Sequence, residues 1–296
     1  MSFPYLSDAV LAVTGVSLPL PLPMFGLFVG LAVVVASFYL KQELRRVYAE
    51  GKIGLATIGN GDAKSQVHPE VVVTDLTFVT ILVGIVGARL FHILENLDQF
   101  ASDPWGMIFT RSGLSIFGGL ILGTLAGLIC VRRWKLPLKP MLDAAAPAMM
   151  LGYAIGRVGC QVSGDGDWGS LADMAMKPTW LPTWFWAQTY ENNVVGLLIP
   201  LPGVYPTPLY ETVMSLSCFV LLWCARKHPF QTGWLFSLYL LLAGIERMLI
   251  EQIRINPVLH FAGVQATQAE FIAGTIMVLG LLGLALFSRR DETKKS

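Results

Sequence analysis

Two arginines and the acid between them raise the first chemical question. In LLAGIERMLIEQIRIN, Arg247, Glu251 and Arg254 stand at i, i+4 and i+7. On a helix this spacing puts them in one stripe, each within reach of the next. Two guanidinium groups around one carboxylate can form a closed ion-pair ladder. They can also leave donors over for an anion, because the planar guanidinium suits bidentate recognition of phosphate. Glu246, beside Arg247, points elsewhere on such a helix and is expected to pair with another basic group.

A second set lies in GRVGCQVSGDGDWG, from Gly156 to Gly169. Arg157 leads it, and Gly159, Cys160, Asp165 and Asp167 follow. Glycine has no Cβ, so its backbone N–H can come close to a ligand. Asp165 and Asp167 can orient arginines or accept hydrogen bonds. Two aspartates are too few for calcium, which takes about six to eight oxygens. Cys130, Cys218 and Cys224 lie in apolar runs with no metal-type spacing and read as packed side chains. No nucleotide, metal or redox motif calls for a cofactor. Three other stretches add candidates. VGARLFHILEN carries Arg89 and His92, and YPTPLYET carries Tyr210 and Glu211. SGLSIFGGLILG carries Gly113, Gly118 and Gly119, which suit close helix approach or a lipid cleft.

The elements that position these residues follow from composition. The chain of 296 residues is 54% apolar and 14% charged, whereas soluble proteins average about 25% charged. A net charge of +1 gives no general attraction for nucleic acid. Apolar runs at about 24–40, 71–93, 113–131, 141–158, 207–225, 232–250 and 268–287 are each long enough to cross a bilayer as a helix. Residues 8–23 read as an interfacial entry segment. The fold class is therefore all-α, a polytopic membrane protein with about seven transmembrane helices in one domain spanning 1–296.

Fifteen of the twenty-one basic residues fall between runs one and two, three and four, five and six, and in the tail with Arg289, Arg290, Lys294 and Lys295. By the positive-inside rule that side is the cytoplasm, so the N-terminus is outside and the C-terminus cytoplasmic. The other six are Arg89, Arg111, Arg157, Lys177, Arg247 and Arg254, all at outer ends of spans or in outer loops. An arginine inside a span is costly and faces a partner or a polar cavity. The segment 170–206 reads as a periplasmic arm between spans four and five, with Trp180, Trp184 and Trp186 as interfacial anchors. Arginines at one depth, with glycines making room, suit an anionic lipid headgroup from the outer leaflet.

The order GLxxG, GxR, GGLxxG, GRxG…WG, LYE and R…E..R along the spans resembles the bacterial prolipoprotein diacylglyceryl transferases over roughly residues 24–285. The resemblance implies an enzyme of the bacterial inner (plasma) membrane with its active site at the periplasmic side. It implies transfer of the diacylglyceryl group of phosphatidylglycerol to the lipobox cysteine thiol of a preprolipoprotein. A thioether forms and glycerol phosphate leaves. Membrane lipids and lipobox peptides are the implied partners, with no nucleic acid. By position, Arg157, Arg247 and Glu251 are the implied catalytic residues. Arg89, Gly118, Gly119, Gly159, Asp165, Asp167, Tyr210, Glu211 and Arg254 are the implied substrate-binding residues.

The chain departs from the family pattern at Phe117, where a histidine is common, at Phe25, where a tyrosine stands, and at Cys160 and Ser163, which replace asparagines. The mechanism that fits this set draws on arginines rather than a histidine base. Arg157 and Arg247 are expected to hold the phosphate, while Glu251 and Asp165 orient them. Two alternatives share the composition, a lipid- or lipoprotein-binding relative without activity and an anionic-solute transporter. A transporter is expected to show internal repeats and polar groups near the midplane, and the sequence shows neither.

Overall fold

The computed structural model describes residues 2–17, 19, 22–59, 64–109, 115–261 and 264–290. Arg111, Gly113, Lys294 and Lys295 lie outside the described residues. The helices in chain order are α1 (Leu6–Thr14), α2 (Met24–Ala49), α3 (Val73–Glu95), α4 (Leu97–Ser102), α5 (Pro104–Phe109), α6 (Ile116–Arg133), α7 (Leu138–Ser163), α8 (Thr183–Trp186), α9 (Thr207–Ala225), α10 (Trp234–Glu251) and α11 (Gln268–Phe287). Two short antiparallel hairpins accompany them, β1 (Ala56–Ile58) with β2 (Ser65–Val67), and β3 (Val258–Phe261) with β4 (Val264–Thr267).

The seven long helices fall on the seven apolar runs of the sequence. In hydrocarbon a spanning backbone must satisfy its own N–H and C=O groups, and the helix does so within one segment. Among the described residues, α2, α3, α6, α9 and α11 are long and apolar enough to cross a membrane. The other two, α7 and α10, carry Arg157 and the Glu246, Arg247, Glu251 group within them. The fold is that of an all-α polytopic membrane protein.

The chain divides into two compact units, Ser37–Ala144 and Met1–Ala36 with Ala145–Ser296. In the first, Leu44, Val47, Val72, Val131, Leu136 and Met141 form the core. Here α3 and α6 approach closely through glycines. A Cβ on Gly87 would stand 2.5 Å from the carbonyl oxygen of Gly118, and one on Gly118 would overlap the Gly87 oxygen. In the second unit, Ala146, Met150, Leu222 and Leu235 form a core with residues of α9 and α10 around them. The helix α11 starts at a capping box. The Glu270 N–H donates to Thr267 Oγ1 at 3.2 Å, and the Thr267 N–H donates to Glu270 Oε2 at 2.8 Å.

Candidate active site

The charged residues of the second unit converge where α7 ends and α9 begins. The helix α7 does not stop at Arg157; it runs one and a half turns further, to Ser163. Gly164 (φ 62°) and Gly166 (φ 96°) then turn the chain through the left-handed region that glycine tolerates. Asp165 Oδ1 accepts from the Asp167 N–H at 3.2 Å and shapes this turn. The turn brings Asp167 back to Arg157, whose Nη1 donates to Asp167 Oδ2 at 2.5 Å. Thr207, at the start of α9, donates its hydroxyl to the Asp167 carbonyl oxygen at 2.5 Å.

One turn along α9, Glu211 is buried with 1% of its surface exposed. Arg157 Nε donates to Glu211 Oε2 at 2.8 Å, and Arg157 Nη2 bonds the same oxygen. Tyr153, one helical turn before Arg157, donates its hydroxyl to Glu211 Oε1 at 2.9 Å. Its ring centroid lies 5.7 Å from the Arg157 guanidinium carbon, a cation–π contact. The remaining Arg157 Nη1 hydrogen points at Cys160 Sγ, 3.4 Å away. Four of the five N–H groups of Arg157 are thus engaged inside the protein.

Arg254 arrives by a different route from the continuous helix expected. The helix α10 ends at Glu251, and Asn256 precedes Pro257 in a sequence that disfavours further helix. From the turn between them Arg254 Nη2 donates to Asp167 Oδ1 at 2.7 Å, with Nη1 3.8 Å from Glu211 Oε2. Asp167 therefore bridges two guanidinium groups. Burial alone would raise its carboxyl, but Arg157 and Arg254 overcome that and hold it below the usual carboxylate range.

Arg247 differs from both. Its Nη2 lies 2.8 Å from Glu251 Oε2, and its Nη1 lies 3.8 Å from Glu211 Oε1. The first contact is ionic without hydrogen-bond alignment, since Glu251 Oε2 has no donor directed at it. Glu251 Oε1 accepts from Asn256 Nδ2 at 2.7 Å. Arg247 makes no directed hydrogen bond among the described residues, and its side chain is 29% exposed against 10% for Arg157. Three arginines are ion-paired with the three carboxylates of Asp167, Glu211 and Glu251, and the Asp165 carboxylate lies beside Asp167 without an ion pair among the described residues. Among the described residues of the cluster, Arg247 is the guanidinium whose N–H groups are ion-paired but not committed to directed hydrogen bonds, which leaves them able to turn to a phosphate.

The other expected site residues have these places. Tyr210 donates its hydroxyl to the Phe185 carbonyl oxygen at 2.8 Å and so ties α9 to α8 in the arm. In that arm Trp180 and Trp184 are exposed, and Trp186 Nε1 donates to the Asp173 carbonyl oxygen at 2.9 Å. Gly159 lies against α2, where a Cβ would stand 2.9 Å from the Cβ of Phe28. Arg89, Gly118 and Gly119 belong to the unit Ser37–Ala144. There Arg89 Nη1 donates to the Met107 carbonyl oxygen at 3.3 Å, and both glycines face α3.

Cys160 Sγ and the carboxylates of Asp165 and Asp167 lie within 4.8 Å of one another. Both oxygens of Asp167 are already held by guanidinium groups, which a cation would have to displace. Sequence reasoning did not single out Tyr153, Thr207, Ser215 or Asn256. Tyr153 had a signal, its i, i+4 spacing to Arg157; the other three have none in the sequence. Nor is the partner of Glu246 basic, for Glu246 Oε1 lies 2.5 Å from Ser215 Oγ.

Residues 13–286 match the family model described as prolipoprotein diacylglyceryl transferase. Similar proteins named phosphatidylglycerol–prolipoprotein diacylglyceryl transferase occur in several bacteria. The one from Parasynechococcus marenigrum strain WH8102 is 31% identical over 287 residues, 93% of this chain and 92% of the relative. The one from Corynebacterium glutamicum is 32% identical over 232 residues, 73% of this chain and 70% of the relative. That from Gloeobacter violaceus is 31% identical over 237 residues, 78% and 82% of the two chains.

Proposed function

Because the chain belongs to the prolipoprotein diacylglyceryl transferase family, we propose that Arg247 binds the phosphate of phosphatidylglycerol, with Arg254 beside it and Arg157 fixing the carboxylates that aim them. The enzyme transfers the diacylglyceryl group from phosphatidylglycerol to a prolipoprotein. The acceptor is the thiol of the lipobox cysteine. The thiolate, the nucleophilic form, attacks the glyceryl carbon next to the phosphate oxygen. A C–S bond forms, the C–O bond breaks with its electron pair going to the phosphate oxygen, and glycerol phosphate leaves. The thiol proton passes to the product phosphate or to water.

The observation that carries this assignment of roles is the state of the three guanidinium groups. Arg157 is committed to Glu211, Asp167 and Cys160. Arg247 stands half-open, ion-paired with Glu251 and Glu211 but with no directed hydrogen bond among the described residues. Charge developing on the departing phosphate is stabilised by donors that are already in place and need no reorganisation. The same positive field favours the attacking thiolate. Glu251 and Glu211 orient Arg247 from either side.

The site belongs to the periplasmic side of the bacterial inner membrane on this reading. Arg226 and Lys227 follow the far end of α9 from Glu211 and mark the cytoplasmic side by the positive-inside rule. The segment 170–206 is then a periplasmic arm, its exposed Trp180 and Trp184 suited to the membrane interface.

The test uses the purified full chain with phosphatidylglycerol vesicles and a synthetic lipobox peptide, and follows the peptide by mass spectrometry. The expected result is a peptide heavier by one diacylglyceryl group, with glycerol phosphate released in equal amount. Unmodified peptide in the presence of bound phosphatidylglycerol would overturn the reading.

A further inference from the structure

Glu246 takes no part in the ion cluster, yet it is buried, with 4% of its surface exposed. Among the described residues no basic group lies within ion-pair distance of it. Its Oε1 is 2.5 Å from Ser215 Oγ, and the same Oγ is 2.6 Å from the backbone oxygen of Glu211, one turn earlier on α9. Oxygens this close need a proton between them. A serine hydroxyl has one proton to donate, and a carbonyl oxygen has none. Ser215 can satisfy one of the two contacts, and the second proton has to come from Glu246. The usual serine bond in a helix runs back to the carbonyl one turn earlier, which assigns the Ser215 proton to Glu211 and leaves the carboxyl as donor to Ser215.

Building on the phosphate-binding reading above, we propose that Glu246 is a neutral carboxylic acid donating to Ser215, and that its neutrality adds no further negative charge to the adjoining cluster and so keeps it receptive to a phosphate anion. With Glu246 uncharged, the carboxylates ion-paired to Arg157, Arg247 and Arg254 are those of Asp167, Glu211 and Glu251, with Asp165 beside Asp167. One more negative charge there opposes an incoming phosphate. A buried carboxylate without a cation is also costly in its own right, and neutralising it removes that cost.

The polar and titratable groups facing Glu246 agree with this. Glu211, Ser215 and Cys218 face it from α9, Tyr153 and Arg157 from α7, and Tyr239 from its own helix. Arg157 is the one cation among them, and its donors are held by Glu211 and Asp167. The one titratable side chain of α11, Glu270, is engaged with Thr267 and Gln252. Glu246 touches no substrate in this account. It is a positioning residue that acts through Ser215 and through its charge.

Infrared spectroscopy of the full chain with carbon-13-labelled glutamate reads the charge state directly. The expected result at neutral pH is a protonated-carboxyl band that is lost in Glu246→Gln and shifted in Ser215→Ala. A folded wild-type protein without that band overturns the proposal, whether or not the variants fold and whether or not transfer occurs. Transfer kinetics read the consequence. The KM for phosphatidylglycerol is expected to rise about tenfold as Glu246 loses its proton at alkaline pH, the size of a one-unit electrostatic coupling. In Glu246→Gln that rise disappears while kcat keeps its own pH dependence. The same alkaline rise persisting in Glu246→Gln overturns the link to phosphate binding. The band present without any transfer would leave the charge state standing and place the failure on the transferase reading.

Discussion

Replacing Arg247 with alanine separates a phosphate donor from a structural ion pair. Removing one preorganised donor from a site of developing charge costs about 10²–10³ in kcat, or roughly 2.7–4 kcal/mol. Arg247 offers a whole fork of donors with no directed bond to the protein, so the loss is expected at the upper end. Stability responds differently. The Glu251 side chain is fully buried, and alanine at 247 leaves it without its cation. Breaking a buried pair costs about 3–5 kcal/mol. The Arg247 side is 29% exposed, so water offsets part of this and the low end applies.

The double variant Arg247→Ala with Glu251→Gln removes the orphaned charge. It is expected to recover most of the melting temperature and none of the transfer rate. Arg247→Lys keeps the charge, loses the planar fork and should fall between. Initial rates with phosphatidylglycerol and a lipobox peptide, measured beside thermal unfolding, give both readouts. A folded Arg247→Ala protein with kcat within about threefold of wild type would refute the assignment, since no transition-state donor would have been lost.

Tyr153→Phe removes the hydroxyl bonded to Glu211 and keeps the ring under Arg157. A hydrogen bond to a charged group is worth about 1.5–3 kcal/mol, and thermal unfolding should show the lower value because Tyr153 is partly exposed. Asp167 is held below the usual carboxylate range by Arg157 and Arg254. Its contribution is therefore full above the unfolded aspartate value and lost as pH falls through the lower folded one. Below about pH 4 the wild type should lose melting temperature more steeply than Asp167→Asn. Gly118→Ala should destabilise by about 1–3 kcal/mol through overlap with Gly87, seen by thermal unfolding. Gly274→Ala, where an added Cβ meets nothing within 4 Å, should be neutral or slightly stabilising.

The long helices were legible because an apolar run of membrane length has few structures open to it. The stripe of Arg247 and Glu251 was legible for a similar reason, since i, i+4 spacing on α10 fixes their proximity whatever surrounds them. Arg254 reached the site through a turn rather than the helix, and periodicity does not encode where a turn aims a side chain. The glycines after Arg157 were expected to bring backbone to a ligand. Gly164 and Gly166 turn the chain, and a Cβ on Gly169 would meet the Ile253 carbonyl oxygen at 2.7 Å, tertiary roles that the glycine spacing does not spell out. Thr207, Ser215 and Asn256 were silent because a lone polar group acquires a role only from its partner in space.

The most direct test is a structure of the full chain with phosphatidylglycerol bound. The account predicts phosphate oxygens about 2.7–2.9 Å from the N–H fork of Arg247, with the bonds from Arg157 to Glu211 and Asp167 intact. Phosphate seated on Arg157 in place of those carboxylates, with Arg247 turned away, would contradict it.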